Sequence, residues 1–204
     1  MEDIRMKKLI SIILSLCLLL TFAAAEEAPA VQKVGEITAE ELYKAGMEAE
    51  YAGEYEKAKE LFEQAAEKGD TNALTALGYL YYNGLGVEQD YAKVMELNRQ
   101  AADRGDPAGL NNIGELYENG LGVEQDYGKA MEYYRQALDL GWNAALVSIG
   151  YLYQEGLGVE QNAETALDYY RKAYESGDPN VLAFMESMVE EGKITPDYKV
   201  NPAE

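Results

Sequence analysis

From Thr38 onward, apolar side chains recur at intervals of three and four residues, the spacing that gathers them on one face of an α-helix. Leu42, Ala45, Gly46 and Ala49 form one run and Tyr55, Ala58, Phe62 and Ala65 a second, with Gly53 between, so the pattern predicts a helical hairpin. The alternation then returns with a period of 36 residues: NGLGVEQDY occupies residues 83–91 and 119–127, and EGLGVEQN residues 155–162. Four apolar sets keep this stride and are assigned to the core: Leu74/Leu110/Leu146/Leu182, Leu77/Ile113/Ile149/Met185, Leu80/Leu116/Leu152/Met188 and Tyr81/Tyr117/Tyr153/Val189. The chain therefore reads as an array of like units with an all-α fold.

The residues between the apolar runs act as punctuation. Gly69, Gly105, Gly141 and Gly177 follow the second helix of each unit, where a left-handed residue without a Cβ closes the helix. Asp106-Pro107 and Asp178-Pro179 are expected to start the next helix, the carboxylate capping free amides and the proline standing where no amide partner is needed; Trp142-Asn143 departs from that pattern. Asp90, Asp126 and Asn162 are expected to cap the second helices, each worth about 1 kcal/mol. Gly78, Gly114 and Gly150 stand mid-helix at a cost of about 1 kcal/mol each relative to Ala, which predicts the close crossing of a neighbouring helix. In the last unit Glu186 takes the place of the crossing glycine, so residues 178–192 are expected to form a polar capping helix and residues 193–204 an irregular tail.

Gly46, Gly53, Tyr55, Ala58, Phe62 and Ala65, at offsets 0, 7, 9, 12, 16 and 19, make residues 38–70 resemble a tetratricopeptide repeat. Later units insert four residues, Gly-Leu-Gly-Val, between the two helices, and end in Ala-Ala-x-x-Gly. A tetratricopeptide-like hairpin with that loop and a 36-residue period resembles the Sel1-like repeat, over residues 71–177 most strongly. The resemblance implies a right-handed α-α superhelix (solenoid) of about four hairpins plus a C-terminal capping helix, with first helices on the concave side, and scaffold or adaptor work. Some cysteine-rich relatives have been linked to penicillin binding or hydrolysis; this chain lacks their cysteine pairs.

Composition narrows the function further. Seventeen Lys+Arg against 37 Asp+Glu leave a net charge of −20, which repels phosphate backbones, so no nucleic-acid partner is expected. Residues 1–25 read as an export signal: Arg5, Lys7 and Lys8 precede an apolar run over residues 9–22, too short for a comfortable span, and Ala23-Ala24-Ala25 offers a cleavage site. Leu16 stands where a lipid-anchor reading of Cys17 would need a small residue. The expected location is secreted or periplasmic (cell envelope), with no stable membrane insertion once the signal is removed, and residues 26–37 are expected to be a flexible leader. Past Cys17 there is no cysteine, so stability must come from packing.

Catalysis finds little support. There is no histidine, and of the serines beyond the signal, Ser148, Ser176 and Ser187, none is followed by Lys three residues on. The Gly-x-Gly loops lack the strand and lysine of a phosphate cradle, and the spacing of Glu88, Asp90, Glu124 and Asp126 is not that of a calcium loop. No enzyme activity, cofactor or metal is expected. Tyr133-Tyr134 and Tyr169-Tyr170 are placed in the core. Candidate binding residues are those at first-helix positions where the units disagree: Tyr79, Tyr82, Asn111, Asn112, Glu115, Val147, Tyr151 and Phe184. The expected function is an exported scaffold holding a protein or peptide partner in its concave groove. The alternative is an envelope hydrolase or a carbohydrate- or peptidoglycan-binding factor, for which Tyr79, Asn111 and Asn112 would supply an aromatic beside amides.

Overall fold

A computed structural model describes residues 37–194; the expected export signal, nearly all of the leader and most of the tail lie outside the described residues. Among the described residues the elements are helices only: α1 (Ala39–Tyr51), α2 (Tyr55–Glu67), α3 (Thr71–Asn83), α4 (Tyr91–Asp103), α5 (Pro107–Asn119), α6 (Tyr127–Asp139), α7 (Ala145–Glu155), α8 (Ala163–Glu175) and α9 (Val181–Glu190). Each packs against the next along the chain, giving an all-α solenoid of hairpins.

Local chemistry sets most of the boundaries. Thr38 and Glu41 form a reciprocal capping box at α1. Asp90, Asp126 and Asn162 each accept, through Oδ1, the backbone N–H three residues on, so the second helices start where the sequence predicts. Asp106 Oδ1 accepts from Ala108 N at 2.9 Å and Pro107 opens α5. Asp178-Pro179 behaves differently: Asp178 Oδ1 accepts from Asn180 N, but a turn follows and α9 begins only at Val181. Both α7 and α9 are entered through bonds between residues three apart, such as Leu146 N to Asn143 O and Ala183 N to Asn180 O, and neither has a side-chain cap.

The inserted loops join successive units. Gly84, Gly120 and Gly156 end the first helices in the left-handed region. Two residues on, a Cβ at Gly86, Gly122 or Gly158 would lie within 2.8 Å of Tyr55, Tyr91 or Tyr127, so each loop rests on the first turn of the preceding unit's second helix. Gln89, Gln125 and Gln161 close the loops by donating to the carbonyls of Tyr82, Glu118 and Gln154. Leu85 and Val87, with their counterparts, pack into the buried clusters below.

The periodic apolar sets are buried or half-buried with one exception. Leu182, expected in the core, is 39% exposed, because α9 packs chiefly against α8 and, among the described residues, no helix follows to cover it. The terminal helix is thus not the polar cap expected: it presents Leu182 and Phe184.

Candidate functional site

Position 62 and its equivalents 98, 134 and 170 lie on the second helices and organise the space beneath the first. Phe62, Tyr134 and Tyr170 are fully buried. Opposite them, a Cβ on Gly46, Gly114 or Gly150 would approach the ring to 2.5, 2.6 and 2.7 Å respectively, far inside van der Waals contact. The mid-helix glycines therefore answer to a ring edge from their own hairpin, and not to a second backbone crossing close by.

One unit breaks the pattern. Opposite Gly78 stands Asn98, and a Cβ there would meet its side-chain amide in ordinary contact, the nearest atom being Nδ2 at 3.4 Å. The amide is shorter than a ring and leaves the outer part of that volume open: a cavity of about 260 Å³ lies between α3, α4 and α5, bounded by Gly78, Tyr79, Tyr82, Asn98, Asn112 and Glu115, with Val94 and Leu116 as its apolar walls. Asn98 is completely buried and held at both polar atoms, its Nδ2 donating to Val94 O at 3.0 Å and its Oδ1 accepting from Asn112 Nδ2 at 2.9 Å. A buried amide persists only where such partners exist.

The same register explains part of the variation among first helices. Tyr134 donates its hydroxyl to Glu118 Oε2 at 2.5 Å and Tyr170 to Gln154 Oε1 at 2.8 Å. Tyr82 replaces that acceptor where the ring is absent and meets Tyr91 edge-on, with centroids 5.5 Å apart. From the following unit, Asn112 bonds Asn98, Ser148 stands beside the Tyr134 hydroxyl, and Phe184 stacks on Tyr170 at 5.4 Å. Burial pushes the hydroxyls of Tyr134 and Tyr170 well above the ordinary phenol range, with carboxylates adding to it, Glu118 at Tyr134 and Glu155 at Tyr170. Tyr133 and Tyr169 stack on Tyr117 and Tyr153, so both tyrosine pairs serve packing, as expected.

Of the eight candidate residues, the structure brings Tyr79, Tyr82, Asn112 and Glu115 together around the cavity, with Tyr79 52% exposed at its mouth. Asn111 lies buried alongside, donating to Glu115 Oε1 at 2.9 Å while its own Oδ1 finds no donor. Loss of solvent raises the Glu115 carboxyl above the usual range, opposed by the Asn111 bond and reinforced by Glu118. Val147 packs against the cluster of α7, α8 and α9, Tyr151 is exposed one unit further on, and Phe184 sits at the end of the array; none of these three lines the cavity. Sequence reasoning missed Asn98, although the 36-residue stride that links Phe62 functionally to Tyr134 passes through it, and it missed the loop-closing glutamines. The polar lining groups are phenols, amides, the Thr75 hydroxyl and one carboxylate, which can stack and hydrogen-bond. Among the described residues there is no cluster of three metal-ligating side chains, and no helix is long and apolar enough to cross a membrane.

Comparison with known proteins agrees with this architecture. The Sel1 repeat pattern matches residues 42–70, 71–106, 107–142 and 143–178, more than half of the chain, and takes in the first hairpin as well. Among solved structures, a Sel1 repeat protein from Oxalobacter formigenes is 28% identical with a TM-score of 0.68, the match covering 81% of this chain and 68% of that one. A protective antigen of uropathogenic Escherichia coli strains with an SLR fold is 34% identical with a TM-score of 0.66, covering 78% of this chain but only 35% of the antigen. An immunity protein from Pseudomonas aeruginosa, 24% identical with a TM-score of 0.57 over 74% of this chain and 58% of its own, shares the fold. No curated protein matches the sequence.

Proposed function

The chain belongs to the Sel1 repeat family, whose repeats mediate protein–protein interaction, and on that premise we propose that it is an exported, non-enzymatic scaffold that holds a protein or peptide partner along the face of its first helices. The observation that carries this reading is the gathering of Tyr79, Tyr82, Asn112 and Glu115 around one cavity beside the interface of two units. Exposed aromatics next to hydrogen-bonding groups are the usual anchors of such contacts. Tyr151 extends the same face by one repeat. Export rests on the basic start, apolar run and small-residue site of residues 1–25, and the mature chain is expected to begin at Glu26, which the intact mass of exported protein reads directly.

Replacing Tyr79 and Tyr151 together with Ala should abolish co-purification of a partner from the exported protein pool while the helical circular dichroism is retained. Undiminished capture by the double variant would assign binding to another face.

A further inference from the structure

Resting on the partner-binding reading, the cavity of the second unit also specifies what part of a partner enters it. We propose that the cavity beyond the Asn98 amide, between Tyr79, Tyr82, Asn112 and Glu115, receives an aromatic side chain, phenylalanine or tyrosine, presented by a cationic peptide segment. The chain supplies its own precedent: in the three other hairpins the equivalent space holds Phe62, Tyr134 or Tyr170, seated against a glycine that tolerates no Cβ. Over Gly78 the shorter Asn98 amide stands in the ring's place, and the outer part of the ring's volume is left to the cavity. The volume is sufficient, since about 260 Å³ exceeds the roughly 150 Å³ in which an engineered apolar cavity of another protein accommodates benzene.

The walls define the orientation of the guest. Val94 and Leu116 offer apolar contact for ring faces. Asn98 and Asn112 have satisfied one another and close the inner end. Glu115 is the one carboxylate on the lining, and it is open to solvent as well as to the cavity, so it can accept a phenolic hydroxyl as Glu118 does from Tyr134, or face a neighbouring cation. No Lys or Arg lines the cavity, and the chain as a whole carries a net charge of −20, so flanking basic residues on the guest meet attraction, screened by salt beyond about 10 Å at 0.1 M.

The test titrates the isotope-labelled full chain with acetyl-Lys-Tyr-Lys-amide, acetyl-Lys-Leu-Lys-amide and p-cresol, following the backbone amides of Gly78, Asn98 and Asn112. The tyrosine peptide should bind at least tenfold more tightly than the leucine peptide. It should also bind more tightly than p-cresol, by a margin that shrinks as salt is added. The variant Asn98→Tyr/Tyr82→Glu rebuilds the arrangement of Tyr134 and Glu118, and should weaken peptide binding at least tenfold; Gly78→Val, which narrows the same space from the other side, should do likewise should the double variant fail to fold. Equal binding of the two peptides, p-cresol binding as well as the tyrosine peptide, or undiminished binding to the filled cavity would each overturn the proposal. Because these probes need no natural partner, loss of partner capture in Tyr79→Ala/Tyr151→Ala is an independent result: either reading can fail while the other stands.

Discussion

In residues 107–142, Gly114 lies beneath the ring of Tyr134, whose hydroxyl is held by Glu118; in residues 71–106 the same three places hold Gly78, Asn98 and Tyr82, and the volume beyond the shorter amide is open. The two units keep one backbone plan, with helices of 13 residues, left-handed glycines after α3 and α5, and matching aspartate caps on α4 and α6. In a stacked array each unit is supported by the interfaces on both sides, so one hairpin can give up a core ring without unfolding. What differs is therefore free to serve recognition in one unit and stability in the other.

The comparison breaks most visibly if the filled unit is emptied. Tyr134→Ala should cost about 3–5 kcal/mol, as for other large core truncations, and should be seen as a lower urea midpoint. The same variant should gain a p-cresol site that the native third unit lacks; a midpoint shift under about 1 kcal/mol would show that the ring is not the keystone of its hairpin. A smaller effect separates the two glycines by sign. Gly114→Val forces a side chain into the Tyr134 ring and should destabilise by about 1–3 kcal/mol, whereas Gly78→Ala finds room and should stabilise by up to about 1 kcal/mol through helix propensity. Thermal unfolding that moved in the same direction for both would contradict the difference in packing.

The smallest effect concerns Glu115. Its carboxyl is raised in the fold, so the folded state holds the proton more tightly than the unfolded chain does; the associated stability is present at low pH and is lost as pH rises through the raised folded value. Glu115→Gln removes that loss and can still accept from Asn111. It should match the native protein near pH 4 and exceed it at pH 7 by no more than about 0.5 kcal/mol, solvent screening at the open side keeping the difference small. A variant less stable than the native protein at pH 7 would contradict this account.

Much of the fold was legible in the sequence. The stride of Leu77, Ile113, Ile149 and Met185, the caps Asp90, Asp126 and Asn162 and the stops at Gly69, Gly105, Gly141 and Gly177 all depend on a few neighbouring residues, and all appear in place. Asp178-Pro179 misled because the same dipeptide that opens a helix at 106–107 precedes a turn at the end of the array. The candidate site was half legible. Tyr79, Tyr82, Asn112 and Glu115 were found as positions where units disagree, but the same criterion drew in Phe184, which stacks on Tyr170 within the protein.

The sequence by itself determined the period, the helix punctuation and the family, because these rest on contacts between residues close along the chain. Only the tertiary structure decided what the irregular positions face. Asn98 and Asn112 meet across two helices, and Glu118 reaches Tyr134 from 16 residues away, so whether a departure from the repeat fills the core or opens it depends on side chains brought together by stacking. A ring and an amide occupy the same place in the stride, and the difference between a packed hairpin and a cavity follows from volume, which no local pattern records.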